Sequence, residues 1–428
     1  MGAGILFGVL FILLFLGVPI AICLGIAAAV TMVLTGNMQY LAAVPTRMFT
    51  QLDNTTLMAV PFFILAGNIM AEGGISDRLI GFFELLLKRL PGRLACISVV
   101  ASGFFGAISG SNPATVAAIG GITAPRMIQK GYPPEKAAAI AASSGTLGVV
   151  IPPSIPMVTY AVTASVSIIS MFEAGWVPGI MLIVGLCIAN AIMCKKYDSV
   201  DTTKYPAKTY LIRFKDAFLA LLMPVIIIGG IRSGIFTAAE TGAICVLYAI
   251  CVGTFAYKEF KFHHFRQALK ETAVLSLSVL LIFGAAQGFA WMISNERVAV
   301  KLTNFILSIV HERWQFMMLV IGFMIIAGCF MDGGAITVML IPLLTPICNA
   351  LHIDLIYFGI IYVVSVVFGN ITPPVGNVMY TVCNVTGVRS RDFMKEILPF
   401  YLGFAIDFLI FIFIPDVILF IPNLIYGA

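Results

Sequence analysis

Charged residues are scarce in this sequence. Asp, Glu, Lys and Arg make up 11% of its 428 residues and hydrophobic residues 60%, whereas roughly 25% of a soluble protein is charged. Apolar runs of about 20 residues recur along the chain, each long enough to cross the hydrocarbon core of a bilayer. The net charge of +5 is small and lies in loops, so it indicates membrane orientation and no nucleic-acid partner. This composition predicts an all-α, multi-pass membrane protein in contact with the lipid bilayer.

Motifs of ATP-driven and hydrolytic enzymes are also missing. The sequence has no Gly-Lys dipeptide and hence no Walker A loop, its four histidines form no HExxH motif, and no serine lies in GxSxG. Its nine cysteines show no metal-ligand spacing and are interpreted as small core residues. We therefore expect neither an enzyme nor the use of ATP.

The N-terminal segment contains no Lys or Arg before Arg47. It lacks the basic start of a cleavable signal peptide, so we expect it to remain as membrane helix. Residues 1–35 contain either one long tilted helix or two short spans; two spans would place both termini outside.

Proline, glycine and phenylalanine positions recur at a constant spacing of 221 residues, and Ser111 and Asp332 have the same separation. Paired interruptions of apolar segments in two halves of a chain are typical of the binding site of a secondary transporter. The recurring positions are Pro125 and Pro346, Gly148 and Gly369, Pro152-Pro153 and Pro373-Pro374, Phe172 and Phe393, and Pro178 and Pro399.

The repeat divides the chain into residues 1–195, a cytoplasmic linker at 196–215, and residues 216–428. Lys and Arg surround the first interruption but are absent from the exit of the second. Because positive residues mark the cytoplasmic side, we expect the halves to be inverted. Each half would contain scaffold helices, an arm helix (75–90; 298–310), a hairpin entering from the inside (about 93–130) or the outside (about 313–350), and a Pro-broken helix (about 135–165; about 355–386).

The interruptions place irregular backbone inside apolar segments. Pro113 removes a donor after Gly110-Ser111-Asn112, and each Pro-Pro pair removes two. Within a membrane such backbone is tolerated only where it is buried in protein or lines a watery cavity. We therefore predict two re-entrant hairpins and two broken helices that meet near the midplane. The alternative is that Pro and Gly merely kink helices for packing, but four interruptions in repeat symmetry argue against it.

Free carbonyls and hydroxyls suit Na⁺, and half-helix N-termini suit a carboxylate. The only carboxylate at a hairpin tip is Asp332, which is either functional or a cap of the following helix. The candidate substrate-binding residues are Ser111, Asn112, Ser154 and Asp332. The candidates for two Na⁺ sites are Ser109, Gly110, Asn112, Gly145, Pro152, Gly333, Gly369 and Thr372.

Four segments resemble the large membrane subunit of TRAP transporters, the DctM family: PFFILAGNIM (61–70), SGSNPATVAAIG (109–120), KGYPPEKAAAIAASSGTLGVVIPPSIPMV (130–158) and FGNITPPVGNVMY (368–380). The resemblance covers essentially the whole chain and departs at GIFTAAETGA (234–243), where the family usually has Pro after Thr. It implies an inverted-repeat ion-transporter-type fold and Na⁺-coupled import by an elevator movement in the bacterial inner membrane. It also implies a small four-helix DctQ-type subunit, a periplasmic DctP-type binding protein and an organic acid substrate, such as a C4-dicarboxylate or sialic acid.

The alternatives are a second kind of transporter, a hydrolase and a channel. A self-sufficient Na⁺/dicarboxylate symporter of a related fold would need no binding protein. An intramembrane hydrolase would need a Ser/Lys or Ser/His pair at an interruption, and the sequence has none. A simple channel would not need inverted, separately hinged halves.

Overall fold

The computed structural model describes residues 2–198, 200, 203, 205–374 and 376–427, and these contain helices and turns but no strand. The helices of the first half are α1 Gly2–Phe15, α2 Ile20–Leu34, α3 Ala43–Leu52, α4 Ala59–Glu72, α5 Ile75–Leu86, α6 Arg93–Ser109, α7 Asn112–Thr115, α8 Gly121–Gln129, α9 Pro134–Gly145, α10 Ile155–Ala164 and α11 Ile168–Cys194. Those of the second half are α12 Ala207–Arg232, α13 Ala238–Cys251, α14 Phe262–Asn295, α15 Val298–Ile309, α16 Arg313–Phe330, α17 Gly333–Ala350, α18 Leu355–Asn370, α19 Asn377–Thr386, α20 Ser390–Phe413 and α21 Asp416–Tyr426.

Seven helical segments in the described residues are long and apolar enough to cross a membrane. Their large exposed side chains, such as Phe15, Leu211 and Leu277, suit a lipid environment. The chain is a multi-pass membrane protein. The seven segments are Thr55–Glu72, Ile168–Cys194, Ala238–Ala256, Phe262–Asn295, Arg313–Phe330, Gly333–Ala350 and Ser390–Phe413.

The two halves of the chain interlock. α2 packs on α14 and α4 packs on α13, so each half completes the core of the other. In the same reciprocal way, α10 packs on α17 while α19 packs on α7 and α8. Helix boundaries follow the spacing of 221 residues: α7 and α17 begin at Asn112 and Gly333, and α9 and α18 begin at Pro134 and Leu355.

Each half contains a helix pair that turns at a short non-helical junction. Gly110 ends α6 in the left-handed region, with φ of 60°, where glycine carries no Cβ penalty. The Ser98 and Thr123 hydroxyls are 3.1 Å apart, which brings the start of α6 against α8. In the second half, α16 ends at Phe330 and α17 begins at Gly333, so two residues separate them.

Glycines bring each helix pair against its neighbouring helix backbone to backbone. A Cβ on Gly106 of α6 would lie 2.3 Å from the Cα of Gly148, which follows α9. A Cβ on Gly369 of α18 would lie 2.7 Å from the Cα of Gly328 in α16. These contacts fix the position of both junctions beside the ends of α9 and α18.

The segment joining the halves is shorter than the sequence predicts. α12 begins at Ala207, so 207–215 of the predicted linker are helical. The Leu94 N–H donates to the Asp198 carboxylate at 2.9 Å, and the Lys88 ammonium donates to the Thr203 carbonyl. The segment is therefore held against the start of α6.

The first arm helix is shorter than predicted, and the N-terminal segment forms two helices. The predicted arm helix 75–90 ends at Leu86, whereas 298–310 agrees with α15 to within one residue. Residues 1–35 contain two helices, because the chain turns at Gly17, with φ of 77°, before Pro19.

Candidate functional site

A cavity of about 190 Å³ lies where the two helix-pair junctions face each other. Both Ser111 and Asp332 line it, together with residues of α4, α10, α14, α18 and α19. A single water needs about 10–15 Å³ of such space, so the cavity has room for a molecule the size of a small organic acid.

Three oxygens converge at the first junction. The Thr115 hydroxyl donates to the Ser111 carbonyl at 2.7 Å and is 3.1 Å from the Ser109 hydroxyl. Gly148 lies against them, since a Cβ there would be 2.5 Å from Thr115 Oγ1 and 2.9 Å from the Ser111 carbonyl oxygen. Hydroxyl and carbonyl oxygens beside a helix break are ligands that suit Na⁺. Thr115 was not among the sequence candidates, although it lies one helical turn after Ser111.

Asp332 caps the helix that follows it. Its Oδ1 accepts the N–H of Gly334 at 2.9 Å, and its side chain is exposed toward the cavity. Behind it, the Thr337 hydroxyl donates to the Gly333 carbonyl at 2.7 Å and is 3.2 Å from the Tyr362 hydroxyl. The capping role anticipated from the sequence is present, and it leaves Asp332 facing the cavity.

Carbonyl oxygens also converge between α18 and α19. A Cβ on Gly376 would lie 2.8 Å from each of the Asn370 and Thr372 carbonyl oxygens, and the Thr372 hydroxyl donates to Phe368 O at 2.9 Å. The side-chain Oδ1 atoms of Asn370 and Asn112 are buried without a hydrogen-bond partner among the described residues. Because such orphaned groups are costly, these two amides are available to a ligand in the cavity.

Six sequence candidates line the cavity: Ser109, Gly110, Ser111, Asn112, Asp332 and Gly333. Five do not: Gly145, Pro152, Ser154, Gly369 and Thr372.

The buried side chain of Ser154 is used within the fold. Its hydroxyl donates to the Val149 carbonyl at 2.6 Å and accepts the Met157 N–H at 3.4 Å, which caps α10. A Cβ on Gly145 would lie 2.1 Å from Val116 Cγ2. Ser154 therefore serves to cap α10, and Gly145 allows close packing against Val116.

Several lining residues were missed by sequence reasoning. Asn68, Thr337, Tyr362, Asn370 and Asn377 face the cavity, and no described lining residue is Lys, Arg or His. In the described residues, no group of three or more His, Cys, Asp or Glu side chains could hold a metal ion.

Two helix N-termini at the cavity lack a side-chain cap. α7 follows Ser111 and α19 follows Gly376, and no side chain of these two residues accepts a hydrogen bond from the N–H groups of the helix. α7 and α19 pack against each other. Their free N–H groups and partial positive charge favour an anion.

Comparisons with known proteins agree with this architecture. Residues 7–417 match the family described as "Tripartite ATP-independent periplasmic transporter, DctM component". The chain is 32% identical to the C4-dicarboxylate TRAP transporter large permease protein DctM of Rhodobacter capsulatus, over 99% of this chain and 100% of the relative. It is 36% identical to the isethionate TRAP transporter permease protein DctMQ of Oleidesulfovibrio alaskensis, over 97% of this chain and 66% of that longer protein.

Among solved structures, the YdaH transporter of Alcanivorax borkumensis matches with a TM-score of 0.59 and 14% identity, over 88% of each chain. At that identity the likeness concerns the fold alone. The sequence matches extend over nearly the whole chain. The chain therefore belongs to the DctM family, the large membrane subunits of TRAP transporters.

Proposed function

We propose that this subunit imports an organic acid, such as a C4-dicarboxylate or sialic acid, across the bacterial inner membrane by coupling to Na⁺. The observation that carries the proposal is the cavity between Ser111 and Asp332, where uncapped helix ends, unpartnered amides and clustered backbone oxygens meet. A pocket with a few convergent polar groups is the expected form of a small-molecule site.

The substrate carboxylate is proposed to lie at the uncapped N-termini of α7 and α19. The first N–H groups after Ser111 and the amide of Asn377 would bind it, in a wall that contains no described Lys or Arg. Asp332, as an anion, would face the substrate's hydroxyl groups or a bound cation. A cation near the site would offset the charges of the carboxylate and of Asp332.

Two Na⁺ sites are proposed. The first uses the Ser109, Ser111 and Thr115 oxygens, which are held together beside Gly148. The second uses the Asn370 and Thr372 carbonyls, which converge at Gly376. Because Ser109, Ser111 and Asn370 line the substrate cavity, ion binding would stabilise the geometry that receives the substrate.

The proposed movement is an elevator step of the helix pairs and broken helices relative to the interlocked scaffold. The anchoring of arm helix α5 supports it: Arg78 pairs with Glu259 at 2.7 Å and lies 3.9 Å from the ring centre of Tyr257, next to α13. At the other face, Arg126 of α8 pairs with Glu84 of α5 at 2.9 Å. In the proposed movement, the arm would join the scaffold to the moving unit.

The proposed partners are a small four-helix DctQ-type subunit and a periplasmic DctP-type binding protein. The family name refers to a three-part system. The longer DctMQ relative also supports the first partner, because this chain matches only about two thirds of it.

Reconstituted vesicles test the proposal. The chain would be assembled with its small subunit, and uptake of labelled C4-dicarboxylates and sialic acid measured with the binding protein present, with and without an inward Na⁺ gradient. We expect uptake of one organic acid that requires both the gradient and the binding protein and needs no ATP. Uptake by the chain alone would instead indicate a self-sufficient symporter, and uptake that ignores Na⁺ would contradict the coupling.

A further inference from the structure

The first turns of α14 carry an exposed basic face. His263, Arg266, Gln267 and Lys270 lie at helical spacings of three and four residues, so they share one side of the helix. Together with Ala273 they border a shallow surface depression outside the central cavity. All five are exposed.

The cations of this face have no acidic partner among the described residues. Within the described part of the chain, no ion pair or side-chain hydrogen bond involves Arg266 or Lys270. The adjacent Glu271 accepts a hydrogen bond from Gln267. Glu259, in the preceding loop, is paired with Arg78. The positive charge is therefore available to an external anion.

Exposed apolar side chains continue the same face. Val274, Leu277 and Leu281 are 59%, 67% and 53% exposed, and they follow Lys270 at intervals of three and four residues. Because α14 has 34 residues, it is about 51 Å long and exceeds the roughly 30 Å hydrocarbon core. Its first turns therefore reach the level of the lipid headgroups, with the apolar stripe below them.

The equivalent helix of the other half, α3, lacks this pair of cations. The positions 221 residues before Arg266, Gln267 and Lys270 are Pro45, Thr46 and Phe49 in α3. The basic face is therefore not repeated at the equivalent positions, and its Lys and Arg content indicates the cytoplasmic leaflet. Anionic lipids of that leaflet attract basic segments next to a membrane helix.

We propose that this face of α14 binds an anionic phospholipid. The lipid phosphate lies between Arg266 and Lys270, and an acyl chain follows Val274, Leu277 and Leu281. The apolar stripe selects a lipid over a free phosphate, which has no chain to place there. This inference does not depend on the transported substrate.

Native mass spectrometry of the purified full chain tests it, with phosphatidylglycerol as the anionic probe and phosphatidylethanolamine as the comparison lipid. The variant Arg266→Gln/Lys270→Gln removes two charges from the face. The matched control, Arg391→Gln/Lys395→Gln, removes two exposed charges with the same spacing from the start of α20. We expect the first variant to retain at least fivefold less phosphatidylglycerol, and the control to differ from the unmodified chain by less than twofold.

A second variant tests the acyl-chain contact. Leu277→Gln should also reduce phosphatidylglycerol retention severalfold, and added inorganic phosphate should not displace the lipid. Equal losses in the α20 control would show general surface attraction and overturn the site. Unchanged retention in Arg266→Gln/Lys270→Gln, or displacement by inorganic phosphate, would do the same. In a second sample, the chain assembled with its small subunit, loss of that subunit from Arg266→Gln/Lys270→Gln with lipid retention unchanged would identify a protein interface and overturn the lipid site.

Discussion

Ser111 and Asp332 occupy the same position in the two halves of the chain, yet only one of them caps its helix. Each is the residue before a helix that returns from a junction at the cavity. The Asp332 carboxylate accepts the Gly334 N–H, whereas the Ser111 side chain makes no such bond to α7. The two junctions are therefore electrostatically different: one retains free N–H donors, and the other presents a carboxylate.

Variants of Asp332 separate its capping role from its charge. Asn is as good an N-cap as Asp, while Ala loses about 1 kcal/mol of capping free energy. If the charge serves transport, both Asp332→Asn and Asp332→Ala should reduce uptake at least tenfold, although only Asp332→Ala should lower the thermal midpoint. Uptake assays and melting curves on the assembled complex measure the two effects. If Asp332→Asn took up substrate as fast as the unmodified chain, capping would be the only role of Asp332.

Ser109→Ala should shift the Na⁺ dependence of uptake. It removes a hydroxyl from the oxygen group at the first junction, so the Na⁺ concentration for half-maximal uptake should rise severalfold while the order of preferred substrates stays the same. The matched control is Ser98→Ala, which loses a similar hydrogen bond, to Thr123, at the other end of the same helix pair. Equal Na⁺ activation curves for Ser109→Ala and the unmodified chain would exclude Ser109 from the ion site.

The orphaned amide oxygens should belong to the substrate site. Asn370→Ala and Asn112→Ala each remove one, so the apparent KM for the transported acid should rise several-fold at saturating Na⁺. Asn37→Ala is the control, because its amide donates to the Thr35 hydroxyl at 3.0 Å and it does not line the cavity. A KM that does not change in either variant would indicate that these oxygens meet water only.

Adding a methyl group at the glycine contacts should separate the helix pairs from their neighbours. Gly106→Ala and Gly369→Ala would bring a Cβ within 2.3 Å and 2.6 Å of backbone atoms, so both should lose thermal stability and uptake. Gly322→Ala, in α16, meets no atom within 4 Å and should be neutral or stabilising, since Ala favours helix. Melting curves of the three purified variants test this order, and equal stability would contradict it.

Replacing Arg232 should destabilise the protein more than replacing its ion-pair partner Glu173. Glu173 is 4% exposed, lies 3.7 Å from Arg232 Nε, and neither carboxylate oxygen has a hydrogen-bond partner among the described residues. Arg232→Gln leaves a buried carboxylate alone and should cost about 1–3 kcal/mol, more than Glu173→Gln. The double variant should recover part of the loss. A double-mutant cycle on thermal unfolding measures this, and additive losses would contradict the pairing.

Cysteine labelling tests the orientation. In a Cys251→Ser background, which removes the exposed thiol among the described residues, Gly234→Cys should react with an impermeant reagent from outside. Lys258→Cys should react only after the membrane is opened. The reverse pattern would invert the topology and place both termini in the cytoplasm.

The sequence alone locates the interruptions because Gly and Pro act locally. α6 ends at Ser109 and α18 ends at Asn370, next to residues that cannot continue a helix. The sequence alone does not identify Asn370 and Asn377 as cavity residues. Their repeat counterparts are Val149 and Pro156. A comparison of the halves therefore draws no attention to them, and their exposure to the cavity depends on helix rotations set by long-range packing.

The same limit applies to polar composition. Residues 207–215 are polar and read as linker, but they form the start of α12, because a long helix can extend beyond the hydrocarbon core into water. By contrast, the capping box of α13, Thr237 with Glu240, is a local signature that the sequence carries in full.

The bond between Leu94 and Asp198 also bears on the order in which the protein is made. The two residues are 104 positions apart, so at roughly 5–20 residues per second the ribosome needs about 5–20 s to supply the acceptor. During that interval the first turn of α6 has one donor without its final partner. This bond can therefore form only after the segment that follows α11 has been synthesised, so the start of the first helix pair depends on residues beyond the last helix of its own half.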